Sequence, residues 1–144
     1  MKLKFEVVGE PVAQARPRIV RTKSGIRGID PAKSKNYKSW VKFCALKAFR
    51  KLETKESKKL LESPLTVKLF IYRSIPTSDS KKLKTQKQKN DVLPTVKPDI
   101  DNVFKAVTDA LTGIIWQDDK QIVNAEITKR YSSIPRVEIE IEEI

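Results

Sequence analysis

The chain has 144 residues, 30 lysines and arginines against 18 aspartates and glutamates, a net charge of +12 and no histidine. That length suits one domain with a substantial core and is too short for a two-domain enzyme, while the charge attracts polyanions, nucleic acid foremost. The missing imidazole excludes every histidine-dependent triad and the commonest nitrogen metal ligand, and the lone Cys44 excludes an internal disulfide and argues against a thiolate metal site. A single thiol fits a reducing cytoplasm.

Lys2 to Val8 alternates, with Leu3, Phe5 and Val7 on one face. It predicts a first strand, not a signal peptide or membrane span, and closes at Gly9. GEPVAQARPRIVRT then carries Pro11, Pro17 and three arginines, Arg16, Arg18 and Arg21. It reads as extended or looped chain with a short strand near Ile19 to Thr22, and a turn around Ser24 to Gly28. Asp30 and Pro31 supply a cap and a first-position proline for a helix running to about Leu52. Its stripe is Tyr37, Trp40, Val41, Cys44, Ala45, Ala48 and Leu52. Phe43, Leu46 and Phe49 fall outside the stripe, so this helix is either sandwiched within the fold or in contact with another subunit. Leu65, Val67, Leu69 and Ile71 predict a strand of the same sheet.

Between Arg73 and Lys97 no period stands out, and six lysines and one arginine face only two acids. The segment is either a solvated insertion or a basic arm that orders on a phosphate backbone. Ile100, Val103, Phe104, Val107, Ala110, Leu111 and Ile114 predict a helix to about Thr112 that Gly113 ends. Val123, Ala125 and Ile127, then Val137, Ile139 and Ile141, predict two final strands. The order β, α, β, α, β, β gives an α+β class, a mixed β-sheet with packed helices.

In KPDIDNVFKAVTDAL, Lys97 to Leu111, Asp99 and Asp101 flank Ile100 where loop becomes helix. Asp99 has a structural account as N-cap, and Asp101 as the partner of Lys105 four residues on, an exposed pair worth about 0.3–0.5 kcal/mol. Asp118 and Asp119 follow the helix, and either form a turn or return beside the first pair. Three or four carboxylates converging without histidine or cysteine make the oxygen-ligand set that magnesium or manganese prefers. Two such ions can activate water and stabilise the leaving oxygen of a phosphodiester. They would also separate the aspartates from a polyanion that the basic surface collects. Lys105 could contact a nonbridging oxygen or assist a departing alkoxide.

The run DIDNVFKAVTDAL followed by IWQDDKQIV, Asp99 to Val123, resembles the signature of the RusA family of Holliday junction resolvases, small endonucleases encoded largely by bacteriophages and prophages. GEPVAQARPR is similar to the opening of many phage members. The resemblance implies one RusA-like domain over residues 1–144, with a basic loop at 73–97. It implies a homodimer on four-way DNA junctions, paired symmetric nicks, magnesium with manganese as a substitute, and products with 5′-phosphate and 3′-hydroxyl ends. Carried over, the family's metal ligands correspond to Asp99, Asp101 and Asp119, and its functional lysine to Lys105. Asp118 is an adjacent acid that could orient the site or substitute as a ligand. Asn102 either supports the ligands through a hydrogen bond or is a helix-surface amide. The basic residues that precede the first aspartate in the family are reduced here to Lys97, followed by Pro98. Candidate DNA contacts are Arg16, Arg18, Arg21, Lys81, Lys82, Lys84, Lys87, Lys89 and Lys97, each with a solvated or structural cation as the alternative. Competing functions are a nuclease for flaps or other branched DNA, and a branched-DNA-binding protein without catalysis.

Overall fold

The computed structural model of the chain describes residues 1–52 and 59–144. In chain order these form β1 (Lys2–Val8), β2 (Arg18–Thr22), β3 (Gly25–Ile29), α1 (Ala32–Arg50), β4 (Leu65–Ser74), α2 (Lys81–Gln88), α3 (Ile100–Leu111), β5 (Ile122–Ser132) and β6 (Arg136–Glu143). Four strands make a mixed sheet in the order β1-β6-β4-β5, with β6 antiparallel to both neighbours and β5 parallel to β4. The α+β class is therefore as the sequence predicts.

The period of two explains the layering, because every second side chain of a strand points to one face. Leu65, Val67, Leu69 and Ile71 are fully buried, and the last three lie in register with Ile141, Ile139 and Val137 of β6, which in turn face Leu3, Phe5 and Val7 of β1. Onto this apolar face pack α1 and α3. The opposite face carries Lys4, Glu6, Lys68, Glu138 and Glu140, the other half of the same alternation. β5 is an edge strand, and Val123 and Ala125 are exposed there, where the alternation predicts burial. Alternation buries a side chain only if a second layer covers that face, and the first part of β5 has none.

Helix α1 buries Ser34, Tyr37, Val41, Ala45 and Phe49. Phe49 thus belongs to the core, whereas Trp40 is 44% exposed and stacks on the exposed Phe43 at 5.6 Å between ring centroids. The indole N–H of Trp40 donates to the Val8 carbonyl at 3.0 Å, so this amphipathic ring sits at the margin of the core, not inside it. Asp30 does not cap α1. Pro31 holds the N-cap position, and the Asp30 carboxylate instead accepts from Ser34 Oγ and Gln14 Nε2. Helix α3 buries Val103, Val107, Ala110 and Leu111 of its predicted stripe completely, together with Ala106, whereas Ile100 at the head of that stripe is 41% exposed because it sits at the open first turn. It ends before Gly113, whose φ of +81° only glycine adopts without strain.

Two segments differ from the expected pattern. The predicted turn at 24–28 is mostly strand: the chain reverses at Lys23–Ser24, and β2 and β3 form a ribbon apart from the main sheet. The segment 73–97 is not a long loop, because β4 runs on to Ser74 and α2 occupies 81–88. Ser80 caps α2 by accepting from the Leu83 amide at 3.2 Å. Among the described residues, no helix is long and apolar enough to cross a membrane.

Candidate active site

The approach to α3 is held from the sheet. Arg73 of β4 donates to the Lys97 carbonyl at 2.8 Å, and Lys129 of β5 donates to the carbonyls of Val96 and Pro98 at 2.7 and 2.9 Å. These contacts place Asp99 at the N-cap of α3 with ψ 141°, yet its side chain makes no capping hydrogen bond. Asp101 lies in the exposed first turn. Neither carboxylate has an ion-pair partner among the described residues, so the structural account of each from the sequence is not the one realised. Lys105 pairs instead with Asp109 at 3.6 Å. Asp109 is shared with Lys38 at 3.7 Å, and Lys38 reaches Asp30 at 3.1 Å. Burial pushes the Asp30 carboxyl up, but hydrogen bonds from Lys38, Ser34 and Gln14 and the charge of Lys38 outweigh it and hold the group below the usual carboxylate range.

The segment after β1 crosses α3, with the Gln14 amide donating to the Asn102 carbonyl at 2.9 Å. Asn102 lines two adjoining open cavities. One, about 500 Å³, contains Asp99 with Glu10, Lys33, Arg73 and Lys97. The other, about 460 Å³, contains Lys105 and Asp109 with Arg16, Lys38, Pro17 and Gly28. Six cations therefore surround the first two turns of α3, and they come from four separate parts of the chain. Lys33, Lys38, Arg73 and Lys129 escaped the sequence reading, since each meets the site from a distant element and carries no local motif.

Asp118 and Asp119 sit elsewhere. Asp118 caps the short 3-10 turn Asp119–Gln121 that leads into β5, its carboxylate accepting from the Lys120 amide at 3.0 Å, while the Asp118 backbone N–H donates to Gln121 Oε1 at 2.8 Å. The Lys120 amide is the main reason the Asp118 carboxyl lies below its ordinary value, against a smaller opposing effect of burial and with help from the Lys120 charge and the Asp119 side chain. Gln121 Nε2 ties the turn to the carbonyls of Leu61 and Ser63. Asp119 is exposed.

Two rulers give the separation of the acidic pairs. The twelve residues of α3 span about 18 Å between them. Along β5, Ile122 adjoins the Asp118 turn and Lys129 holds Pro98, a run of about 23 Å at a strand rise. The structure thus brings Asp99 and Asp101 to one end of α3 and leaves Asp118 and Asp119 at the other. Among the described residues, no three acidic, histidine or cysteine side chains converge on a position for a metal ion. The expected return beside the first pair fails because the chain turns at Gly113 and enters β5 at the far end of the helix.

The candidate DNA contacts also separate. Arg16 and Lys97 line the two cavities, Arg18 and Arg21 stand exposed on the ribbon, and Lys81, Lys82 and Lys89 are exposed, with Lys84 half-buried, around α2. Lys87 is corrected to a structural cation. It is only 8% exposed, paired with Asp79, and its ammonium lies 4.5 Å from the centroid of the Tyr131 ring.

A family model described as Endodeoxyribonuclease RusA matches residues 8–142. Among curated proteins, the one named uncharacterized protein YqaN, from Bacillus subtilis (strain 168), is 41% identical over 144 residues, covering 99% of this chain and 96% of that protein.

Proposed function

The chain belongs to the RusA endodeoxyribonuclease family, and from that premise we propose that it is a homodimeric resolvase that hydrolyses phosphodiester bonds at four-way DNA junctions in the cytoplasm of a bacterial or phage-infected cell. The observation that carries the reading is the pair Asp99 and Asp101 at the N-terminus of α3, which form no ion pair among the described residues although six cations line the two cavities beside that helix. Carboxylates left open in so basic a setting are suited to magnesium or manganese, and the flanking cations are suited to DNA phosphates.

Among the described residues of one copy, Asp99 and Asp101 alone would leave most positions of such an ion to water or phosphate oxygens. Hard cations take six or more oxygens, and the described residues of one chain converge in no group of three acids. The remaining acid of the family pattern, Asp119, is exposed at the far end of α3 and is available to a second copy. A four-way junction also calls for two sites related by an approximate two-fold axis, which a closed dimer provides. Around the scissile bond, this chain's own groups would then act as follows. Arg73 and Lys129 fix the backbone before Asp99, Asn102 joins the two cavities, and Lys105 offers a donor to a phosphate oxygen beside its loose contact with Asp109.

The test compares cleavage of a mobile-core four-way junction, a flap and a linear duplex with magnesium, manganese or EDTA. Metal-dependent paired nicks in the junction support the proposal, preferential flap cutting moves it to another branched substrate, and binding without cutting would make the protein a non-catalytic binder. Asp101→Asn should abolish cleavage while retaining junction binding. Mixing Asp101→Asn with Asp119→Asn distinguishes a shared site: if each site takes acids from both copies, the mixed dimer regains one intact site and nicks one strand. A site built within one chain regains nothing.

A further inference from the structure

We propose that the β2–β3 ribbon is a wedge for branched DNA, with Ile19 and Ile26 packing on bases unstacked at the branch point while Arg18, Arg21 and Arg27 hold the flanking phosphates. The inference rests on the branched-DNA reading of the preceding subsection and gives that reading a recognition element. Ile19 and Ile26 are 77% and 70% exposed. They share one face, because Ile19 pairs with Gly28 and Arg21 with Ile26, and residues opposite each other in an antiparallel pair point the same way. Val20 and Ile29 are on the other face and are half-buried, so the exposed isoleucines are not the fringe of the core.

The chemistry of the ribbon selects the occupant. Residues 18–29 carry Arg18, Arg21, Lys23 and Arg27 and no acid, and none of these cations has an ion pair among the described residues. By the same register Arg21 shares the isoleucine face, while Arg18 and Arg27 share the other with Val20 and Ile29. A protein surface enclosing the ribbon would therefore bury like charges on both faces, whereas DNA offers phosphates for the cations and base faces for the isoleucines. Isoleucine is among the side chains that wedge between base steps, and the unstacking cost is least where bases are already unpaired. Placement agrees. Pro17 and Gly28 at the base of the ribbon line the cavity of Lys105 and Arg16, so a strand held at Lys105 continues directly onto the ribbon. Gly28 packs close there: a Cβ would lie 3.2 Å from Pro17 Cβ and would push the two apart by a few tenths of an ångström. Five residues per strand extend the ribbon about 17 Å, enough to span a branch point.

The experiment places 2-aminopurine beside the crossover of an immobile four-way junction and follows its fluorescence with the full-length protein in EDTA. Wild type should raise the signal on binding. Ile19→Ser with Ile26→Ser should lose that rise and at least tenfold of the preference for junction over linear duplex, with duplex affinity unchanged within about twofold. Arg18→Gln, Arg21→Gln and Arg27→Gln together should weaken both substrates and reduce the salt slope by up to about 2.7, at roughly 0.9 per phosphate. A wild type that prefers the junction without a fluorescence change, or a serine pair that keeps both, would overturn the wedge alone. Absence of any junction preference in wild type would instead remove the functional reading beneath it. A serine pair that falls from dimer to monomer by sedimentation would assign the isoleucines to the second copy and also overturn the wedge.

Discussion

Lys87 and Asp79 provide the sharpest test of how the basic helix α2 is held. The two side chains are 10% and 12% exposed, ion-paired, and the ammonium also stands over the Tyr131 ring of β5. Removing one partner leaves a largely buried charge alone, which costs about 3–5 kcal/mol where burial is complete; about 3 kcal/mol is the figure for this slightly open pair. At roughly 2–4 °C per kcal/mol for a chain of this size, Asp79→Asn or Lys87→Met should each lower Tm by about 6–12 °C. Together the two substitutions should fall within about 1 kcal/mol of wild type, because removing both charges also removes their desolvation, and the methionine stem still covers Tyr131. Circular dichroism melts give the four corners of the cycle. Hydrogen exchange over 81–88 shows whether the loss is confined to α2. Two single effects that simply add in the double substitution, or that each stay under about 0.5 kcal/mol, would refute the buried tie and return this segment to a solvated insertion.

Two further outcomes concern charge. Replacing Lys81, Lys82, Lys84 and Lys89 by glutamine should flatten the salt dependence of DNA binding by up to about 3.6 in log–log slope, and an unchanged slope would show that α2 does not lie on DNA. Asp30 titrates below the ordinary value of 3.8 in the folded chain, so its contribution is complete above that value and is lost as pH falls through the lower folded one. The Tm gap between wild type and Asp30→Asn should therefore be constant near neutrality and close only below pH 3.8; a gap that closes at higher pH contradicts the depressed carboxyl.

Periodicity made the sheet and α3 legible, because Leu65 to Ile71, Val137 to Ile141 and Val103 to Leu111 each satisfy one period without competition. α2 was illegible for the opposite reason. Its eight residues include four lysines and one leucine, and it is held by a cap at Ser80 and by Lys87 reaching Asp79 and Tyr131, contacts that no local pattern announces. In α1, Trp40 and Phe49 exchange their expected places because the indole N–H finds the Val8 carbonyl at the edge of the sheet. The Asp101–Lys105 pair failed on similar grounds. Lys105 has two partners at helical spacing, Asp101 before it and Asp109 after it, and the contact that forms is with the acid already drawn toward Lys38 of α1. The residues of the acidic motif were legible from the sequence, but their distribution between the two ends of α3 was not, since it depends on where β5 joins the sheet.

The placement of charge follows from the same alternation that builds the sheet. In VEIEIEE of β6 each inward isoleucine forces the next glutamate outward, so Glu138 and Glu140 lie on the sheet face opposite α1 and α3, beside Glu6. Lys4 and Arg136 neutralise part of that face, at 3.2 Å from Glu140 and 3.0 Å from Glu138. Among the described residues the cations of the ribbon, Lys33 and Lys97 form no ion pair, and Lys33 and Lys97 line a cavity at the start of α3. A net charge of +12 therefore understates the asymmetry that an approaching polyanion encounters: the open sheet face offers glutamates, and the cavities beside α3 offer Arg16, Lys33, Arg73 and Lys97. Unpaired Asp99 and Asp101 stand within that basic field. A carboxylate there gains from any lysine it can reach, and Lys97 and Lys105 are near in sequence, yet neither pairs with them. Arg73 and Lys129 hold the backbone that leads into Asp99, and Asp109 draws Lys105 away, so among the described residues the two acids keep no ion-pair partner.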